Sequence, residues 1–206
     1  IILTGAGENF SYGASVEEHT KAQVASMLPK FHLVIERLLS FSIPIMAKVR
    51  GNCLGGGFEV ALACHYIYAD KSAKFAVPEI KLGVFPPPAA IILPLKSNDT
   101  VAIEMVTTGT TKTADELAAL GAITVFENFE SMNHEIEKLI EKKLKPLSAK
   151  SLRFATKAAR HVIAKIYRHN IKEVEALYLN ELMNTHDANE GIQSFIEKRR
   201  PNWKNN

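Results

Sequence analysis

The triplet Gly55-Gly56-Gly57 constrains this chain more than any other stretch. It closes an apolar, strand-like run and opens a run that reads as helix. Glycine has no Cβ, so the backbone there can turn sharply and a ligand can approach it closely. The first N–H groups of a helix have no intrahelical acceptor and carry partial positive charge. An anion, or an oxygen that becomes one, is stabilised at such a place. Glu59 follows two residues after the last glycine, and Glu79 comes twenty residues later, just after Pro78. If folding brings both together, the site holds one N–H pocket for negative charge and two carboxylates for proton traffic. That is the equipment for moving a proton beside a carbonyl.

A glycine turn can also do nothing more than connect two elements, and Glu59 in a first helical turn can simply complement the dipole. Its neighbours argue for more. Val60, Ala61, Leu62, Ala63 and Cys64 are apolar, and a carboxylate at the mouth of a buried helix is costly unless paired or used. Composition narrows the partners. The net charge is only +3, from 25 basic and 22 acidic residues mixed along the chain, so no basic face points to nucleic acid. Cys53 and Cys64 lack CxxC spacing and lie in apolar surroundings. They read as reduced and structural, which suits a cytoplasmic protein. No apolar run is long enough to span a membrane. No His/Cys/Asp cluster has metal-ligand spacing, and His19, His65, His161 and His186 read as surface or helix-packing residues.

At 206 residues the chain is one large domain, or a domain plus an appended helical piece. Ile1, Ile2 and Leu3 form a strand apolar from its first residue, from which we expect that the natural N-terminus is missing. Glycine-containing loops follow, and Ser15 with Glu18 predicts a capping box opening a short helix. Phe31, Val34, Ile35 and Leu38 share one face of a helix over 28–41, with Pro29 in its first turn. Strands are predicted over 43–49, 66–69, 74–77 and 123–126, with a turn over 51–57 and a helix over 58–65. This alternation argues a parallel α/β core with right-handed crossovers, in which ligands sit at the carboxyl ends of strands. The stiff stretch 84–94 contains four prolines, three of them consecutive, and is expected not to form regular helix. It reads either as a packed loop or as one wall of an apolar pocket. Thr113 and Glu116 cap a short helix ending at Gly121. Helices are predicted over 132–144, 149–163 and 168–183, the last with Ile171, Val174, Tyr178 and Leu182 on one stripe. We expect an α/β core over 1–126 and a helical region over 127–206 that packs on another subunit.

With these residues in view, the sequence resembles the crotonase (enoyl-CoA hydratase/isomerase) superfamily. The matching stretches are 2–5, 10–14, 51–59, 78–83, 108–109, 114–122, 190–191 and 195–199, so the similarity spans the whole chain. Within the superfamily it is most similar to the cyclohexa-1,5-dienecarbonyl-CoA hydratases, through residues 13–19, 83–89 and 185–191. The resemblance implies a ββα spiral core, lacking its first strands here, and a C-terminal helical trimerisation region. It implies a lyase that adds water to an unsaturated acyl-CoA thioester, with no cofactor beyond the coenzyme A of the substrate. Straight-chain hydration or isomerisation is the alternative reading. A non-catalytic CoA- or RNA-binding relative is disfavoured, because both carboxylates are present.

By the same resemblance, Ala14 and Gly56 donate N–H groups to the thioester oxygen, and Glu59 and Glu79 are the catalytic pair. Ala14, Ser15, Val16 and Glu17 line the coenzyme A site with Gly56. Phe85 lines the acyl pocket, and Lys198 reaches the coenzyme from a neighbouring subunit. A homo-oligomer, trimer or dimer of trimers, is expected, with no nucleic acid, membrane or metal as partner. Ser15 and Tyr12 depart from the common aspartate and small residue. Residues 87–90 replace a Gly-rich helix start, so the acyl pocket is expected to differ from that of straight-chain enzymes.

Overall fold

A computed structural model describes residues 1–206. Seven strands and eight α-helices follow one another along the chain. Strands β1 (Ile2–Thr4), β2 (Met46–Val49), β4 (Tyr66–Asp70) and β7 (Thr124–Phe126) form one all-parallel sheet in that order. Strands β3 (Asn52–Leu54), β5 (Lys74–Ala76) and β6 (Lys112–Thr113) form a second sheet, with β3 and β5 parallel and β6 antiparallel. From β2 to β5, consecutive strands alternate between the two sheets. After β2 and β3 comes helix α2 (Gly56–Ala63); after β4 and β5 come a 3₁₀ turn over Pro78–Leu82 and helix α3 (Pro87–Lys96). Each strand–strand–helix unit thus adds one strand to each sheet, as expected of a ββα spiral.

The sequence places β3 inside the turn predicted over 51–57. Only three residues long, it is too short for its alternation to be seen. Helix α1 (Val24–Ser40) starts one turn earlier than predicted. Val24 and Leu28 are buried on its first turns, against Tyr178, Met183 and Ile192. Pro29 therefore lies inside α1 rather than at its start. The Ser15 capping box does not form. The 3₁₀ turn Glu17–His19 begins after Val16 without a side-chain cap, and the Ser15 hydroxyl donates instead to the Glu17 carboxylate.

The prolines of 84–94 do not prevent a helix. Pro87 and Pro88 occupy the first two positions of α3, where a helical N–H has no intrahelical acceptor in any case. Only Pro94, near the other end, removes an internal bond. After α3 come α4 (Asp99–Thr108), capped by Asn98, and α5 (Ala114–Ala119), whose capping box of Thr113 and Glu116 forms as predicted. Helix α6 (Phe129–Leu139) starts at a second capping box, Asn128 with Ser131, and widens into a π turn over Ile140–Leu144.

The two helices predicted over 149–163 and 168–183 are one, α7 (Ala149–Ala176). Residues 164–167, Ala-Lys-Ile-Tyr, contain no breaker, so nothing interrupts the turn-to-turn bonds. A wide π turn over Leu177–Glu181 ends it, and Thr185 caps a further helix, α8 (His186–Ile196), absent from the prediction. Helix α7 packs on α1 and α3. Its Ala164, Tyr167 and Ile171 join strand residues such as Ala47, Val49, Ile67 and Phe75 in the main core.

Candidate active site

The glycine triplet and the loop before it meet at one point. The Phe10 and Ser11 amides both donate to the Asn52 carbonyl at 3.0 Å, and the Leu54 amide donates to the Ser11 carbonyl at 2.9 Å. This short ladder lays the loop along β3 and carries Gly13 and Ala14 over the start of α2. There the Ala14 nitrogen is 3.4 Å from where a Cβ on Gly56 would sit, and the Gly56 nitrogen is 3.1 Å from where one on Gly13 would sit. The Gly56 N–H is the first of α2 and lacks an intrahelical acceptor. The Ala14 amide donates to no group of the protein. Two free donors thus face a shared space, and one of them carries the positive end of a helix dipole.

Gly55 makes the turn possible. Its φ is +52°, and a Cβ there would meet Glu79 Oε1 at 2.8 Å. The same figure places the Glu79 carboxylate against the backbone that leads into α2. Glu79 stands on the 3₁₀ turn after β5, beside the Gly55 amide that donates to the Ala76 carbonyl.

Glu59 is on the first turn of α2 and only 3 % exposed. Its Oε1 accepts a hydrogen bond of 2.9 Å from the Ala89 amide. Ala89 is the third residue of α3, and Pro87 and Pro88 before it have no N–H to give. The Glu59 carboxylate therefore takes the first backbone donor that α3 possesses. The proline run, read from the sequence as loop or wall, fixes this glutamate as well as walling the cavity.

Burial pushes both carboxyls above their ordinary value. For Glu59 the nearby Glu79 charge adds to the shift, and the Ala89 amide opposes it. Burial raises Glu79 to about 7. Its Oε2 is shielded from solvent and has no hydrogen-bond partner. Charge is thus disfavoured on both carboxyls, and each weighs on the ionisation of the other.

Both glutamates, Ala14, Gly56, Val16 and Phe85 line one cavity of about 430 Å³. Its other walls include Met27, Leu28 and Phe31 of α1, Leu82, Pro86 and Pro87, and Tyr178 and Phe195 from the C-terminal region. Of the residues predicted for the site, Ser15 and Glu17 lie in the same loop but outside this lining, and both are exposed. Lys198 is exposed just after α8, also outside it, with a left-handed φ of 55°. The sequence reading missed Tyr178 and Phe31 because both lie on apolar helix stripes, where they look like core. A phenol within such a stripe was the available signal.

The far end of α2 is also secured. Arg160 Nη2 donates to the Ala63 carbonyl at 2.8 Å and Lys96 Nζ to the Cys64 carbonyl at 2.7 Å. The Arg160 cation at the carboxyl end complements the dipole whose amino end faces the cavity, while burial, then the Arg160 charge, lower Lys96 to about 7. No helix is long and apolar enough to cross a membrane.

The profile of the enoyl-CoA hydratase/isomerase family matches residues 1–206. A cyclohexa-1,5-dienecarbonyl-CoA hydratase from Thauera aromatica is 40% identical over 205 residues, covering 100% of this chain and 79% of that protein. A probable enoyl-CoA hydratase from Bacillus subtilis is 33% identical over 215 residues, covering 99% and 81%. Among solved structures, an enoyl-CoA hydratase from Bacillus halodurans superposes with a TM-score of 0.85 at 19% identity, over 94% of this chain and 80% of the other. One from Mycobacterium avium subsp. paratuberculosis gives 0.83 at 23% identity, over 99% and 79%. At these identities the structures speak to the fold.

Proposed function

The chain belongs to the enoyl-CoA hydratase/isomerase family, and from that premise we propose that it hydrates an unsaturated acyl-CoA thioester with Glu59 and Glu79. The observation that carries this reading is the pair itself: two carboxyls lining one cavity, Glu59 buried and Glu79 half-buried with its Oε2 shielded, beside two backbone N–H groups without acceptors. The thioester carbonyl oxygen lies between the Ala14 and Gly56 amides. Glu59, as carboxylate, takes a proton from water as the water oxygen bonds to the electron-poor carbon. The π electrons move to the thioester oxygen, where the two amides stabilise the charge. Losing one such donor raises a barrier by about 3 kcal/mol. Glu79, as the neutral acid, then gives its proton to carbon, and the enolate collapses to the thioester. One proton enters the pair and one leaves it, so the pair ends with the same proton count.

The Ala89 amide favours the charged form of Glu59, and the free Oε2 of Glu79 suits a proton donor. Deeper burial at Glu59 works against that order. What the mechanism needs is the shared proton, whichever oxygen holds it at rest.

We further propose that the acyl group is cyclohexa-1,5-diene-1-carbonyl, in which the proton goes to the far end of the conjugated system and a new ring double bond remains. The name of the 40% identical relative supports this, as do the stiff walls of Phe85, Pro86 and Pro87, which suit a compact ring. Straight-chain hydration is the second reading; the 33% identical relative is named a probable enoyl-CoA hydratase, with no ring in the name. The test offers the cyclic dienoyl-CoA and crotonyl-CoA separately and follows the gain of one water in each product by mass. A kcat/KM at least tenfold higher on the cyclic substrate supports the first assignment, and the reverse order the second. Turnover of neither overturns the hydratase reading.

The exposed apolar side chains of α7, Phe154 and Val162, support assembly into a homo-oligomer. Lys198 of one copy would then approach the coenzyme bound to another. Light scattering in solution tests this: a monomer at micromolar concentration would contradict it.

A further inference from the structure

One buried polar group lining the cavity has no role in the scheme above. Tyr178 is 1% exposed, and its ring meets Phe85 edge-on at 5.3 Å between centroids. Its hydroxyl has no hydrogen-bond partner in the protein. A buried hydroxyl left unpaired costs stability, so an orphan on a cavity wall marks a position where a ligand completes the bonding.

The other donor side chains on the wall are engaged or solvated. Tyr12 Oη accepts from Asn52 Nδ2 at 3.2 Å and is exposed, the His19 ring is 2.8 Å from the Ser15 carbonyl, and Lys81 is exposed. Of these, Tyr178 alone carries a shielded O–H without a partner, on the cavity that both glutamates line. Burial, then the charges of Glu79 and Glu59, push its ionisation well above the ordinary tyrosine range. It is therefore a donor at any working pH.

We propose that the Tyr178 hydroxyl donates a hydrogen bond to the oxygen that is added in the reaction, first as water and then as the product hydroxyl. The proposal rests on the hydratase reading and deepens it. An attacking water must give one proton to a carboxylate and aim one lone pair at carbon. Glu59 takes that proton and Glu79 commits its own to carbon, so neither is left to donate to the second lone pair. A phenol can, and doing so fixes the remaining rotation of the water. The group that aims the nucleophile would then also recognise the hydroxyl it becomes.

Tyr178→Phe separates this from a packing role, because the ring stays against Phe85 and only the unpaired oxygen is lost. The expected result is a kcat about tenfold lower with KM within twofold, and an unchanged or slightly higher Tm. Binding gives a readout without turnover. Calorimetric titration with 3-hydroxybutyryl-CoA and with butyryl-CoA is expected to show a preference for the hydroxyl compound in the parent protein, and loss of that preference in Tyr178→Phe. A variant with parental kcat and the parental preference would overturn the proposal. So would equal weakening of both ligands together with a lower Tm, which would mark packing alone. If the parent hydrates no thioester, the proposed function fails, and the binding comparison still reports on Tyr178 by itself.

Discussion

At the scale of single residues, the site works by placing carboxyls where charge is expensive. Glu79 is raised from 4.5 to about 7 by burial. A carboxyl whose folded value exceeds its unfolded value stabilises the fold fully below the unfolded one, and that contribution is lost as pH rises toward the folded one. The native protein should therefore lose stability through Glu79 between 4.5 and about 7. Glu79→Gln carries no charge at any pH. Relative to the parent, it is expected to gain about 2 kcal/mol on going from about pH 5 to about pH 8. Denaturant melts of both proteins at the two pH values check this; equal differences at both would mean that Glu79 is solvated. The sequence made these residues visible because Glu59 interrupts an apolar helix and Glu79 follows a proline. It could not show that Glu59 is held by the Ala89 amide, a contact 30 residues away in the chain.

At the scale of elements, α2 is a dipole secured at both ends. Its amino end needs Gly55 in a conformation that a side chain resists. Gly55→Ala adds strain at φ +52° and pushes a methyl against Glu79 Oε1. The expected cost is about 1–3 kcal/mol of stability, with kcat lowered about a hundredfold as the glutamate is displaced. Steady-state rates and chemical denaturation measure the two effects, and a stable, active variant would contradict the tight approach. At the carboxyl end, Arg160→Ala removes a charge-assisted bond to the Ala63 carbonyl. A loss of about 1.5–3 kcal/mol in denaturant melts is expected, with KM little changed because Arg160 does not line the cavity. Elements with a long period or a clear cap, such as α1 and α5, were legible in the sequence. Three-residue β3 was not, and α3 was hidden because a proline run in sequence looks like a break. Two prolines at the very start of a helix break nothing.

At the scale of the whole molecule, the C-terminal helices are part of the main body. Tyr167 of α7 is fully buried, and its hydroxyl donates to the His32 carbonyl at 3.3 Å. With Ala164 and Ile171 beside strand residues in one core, the regions 1–126 and 127–206 are expected to melt together. A single calorimetric transition with equal van't Hoff and calorimetric enthalpies would agree; two separate transitions would not. The parallel α/β alternation was legible from strand and helix runs; of the second sheet, β5 was predicted over 74–77, whereas β3 and β6 lay within stretches that read as a turn and a helix cap. Nor could spacing reveal that the C-terminal region supplies Tyr178 and Phe195 to the cavity.

The shared proton joins these scales, and kinetics on four proteins tests it most directly: the parent, Glu59→Gln, Glu79→Gln and the double variant, all on the unsaturated thioester that the parent turns over best. Groups that act as one unit are not additive. Each single variant is expected to lose about a hundredfold or more in kcat, and the double variant little more than either single one. A single variant that keeps kcat within tenfold of the parent, or losses that multiply in the double variant, would contradict a proton held in common by the two glutamates.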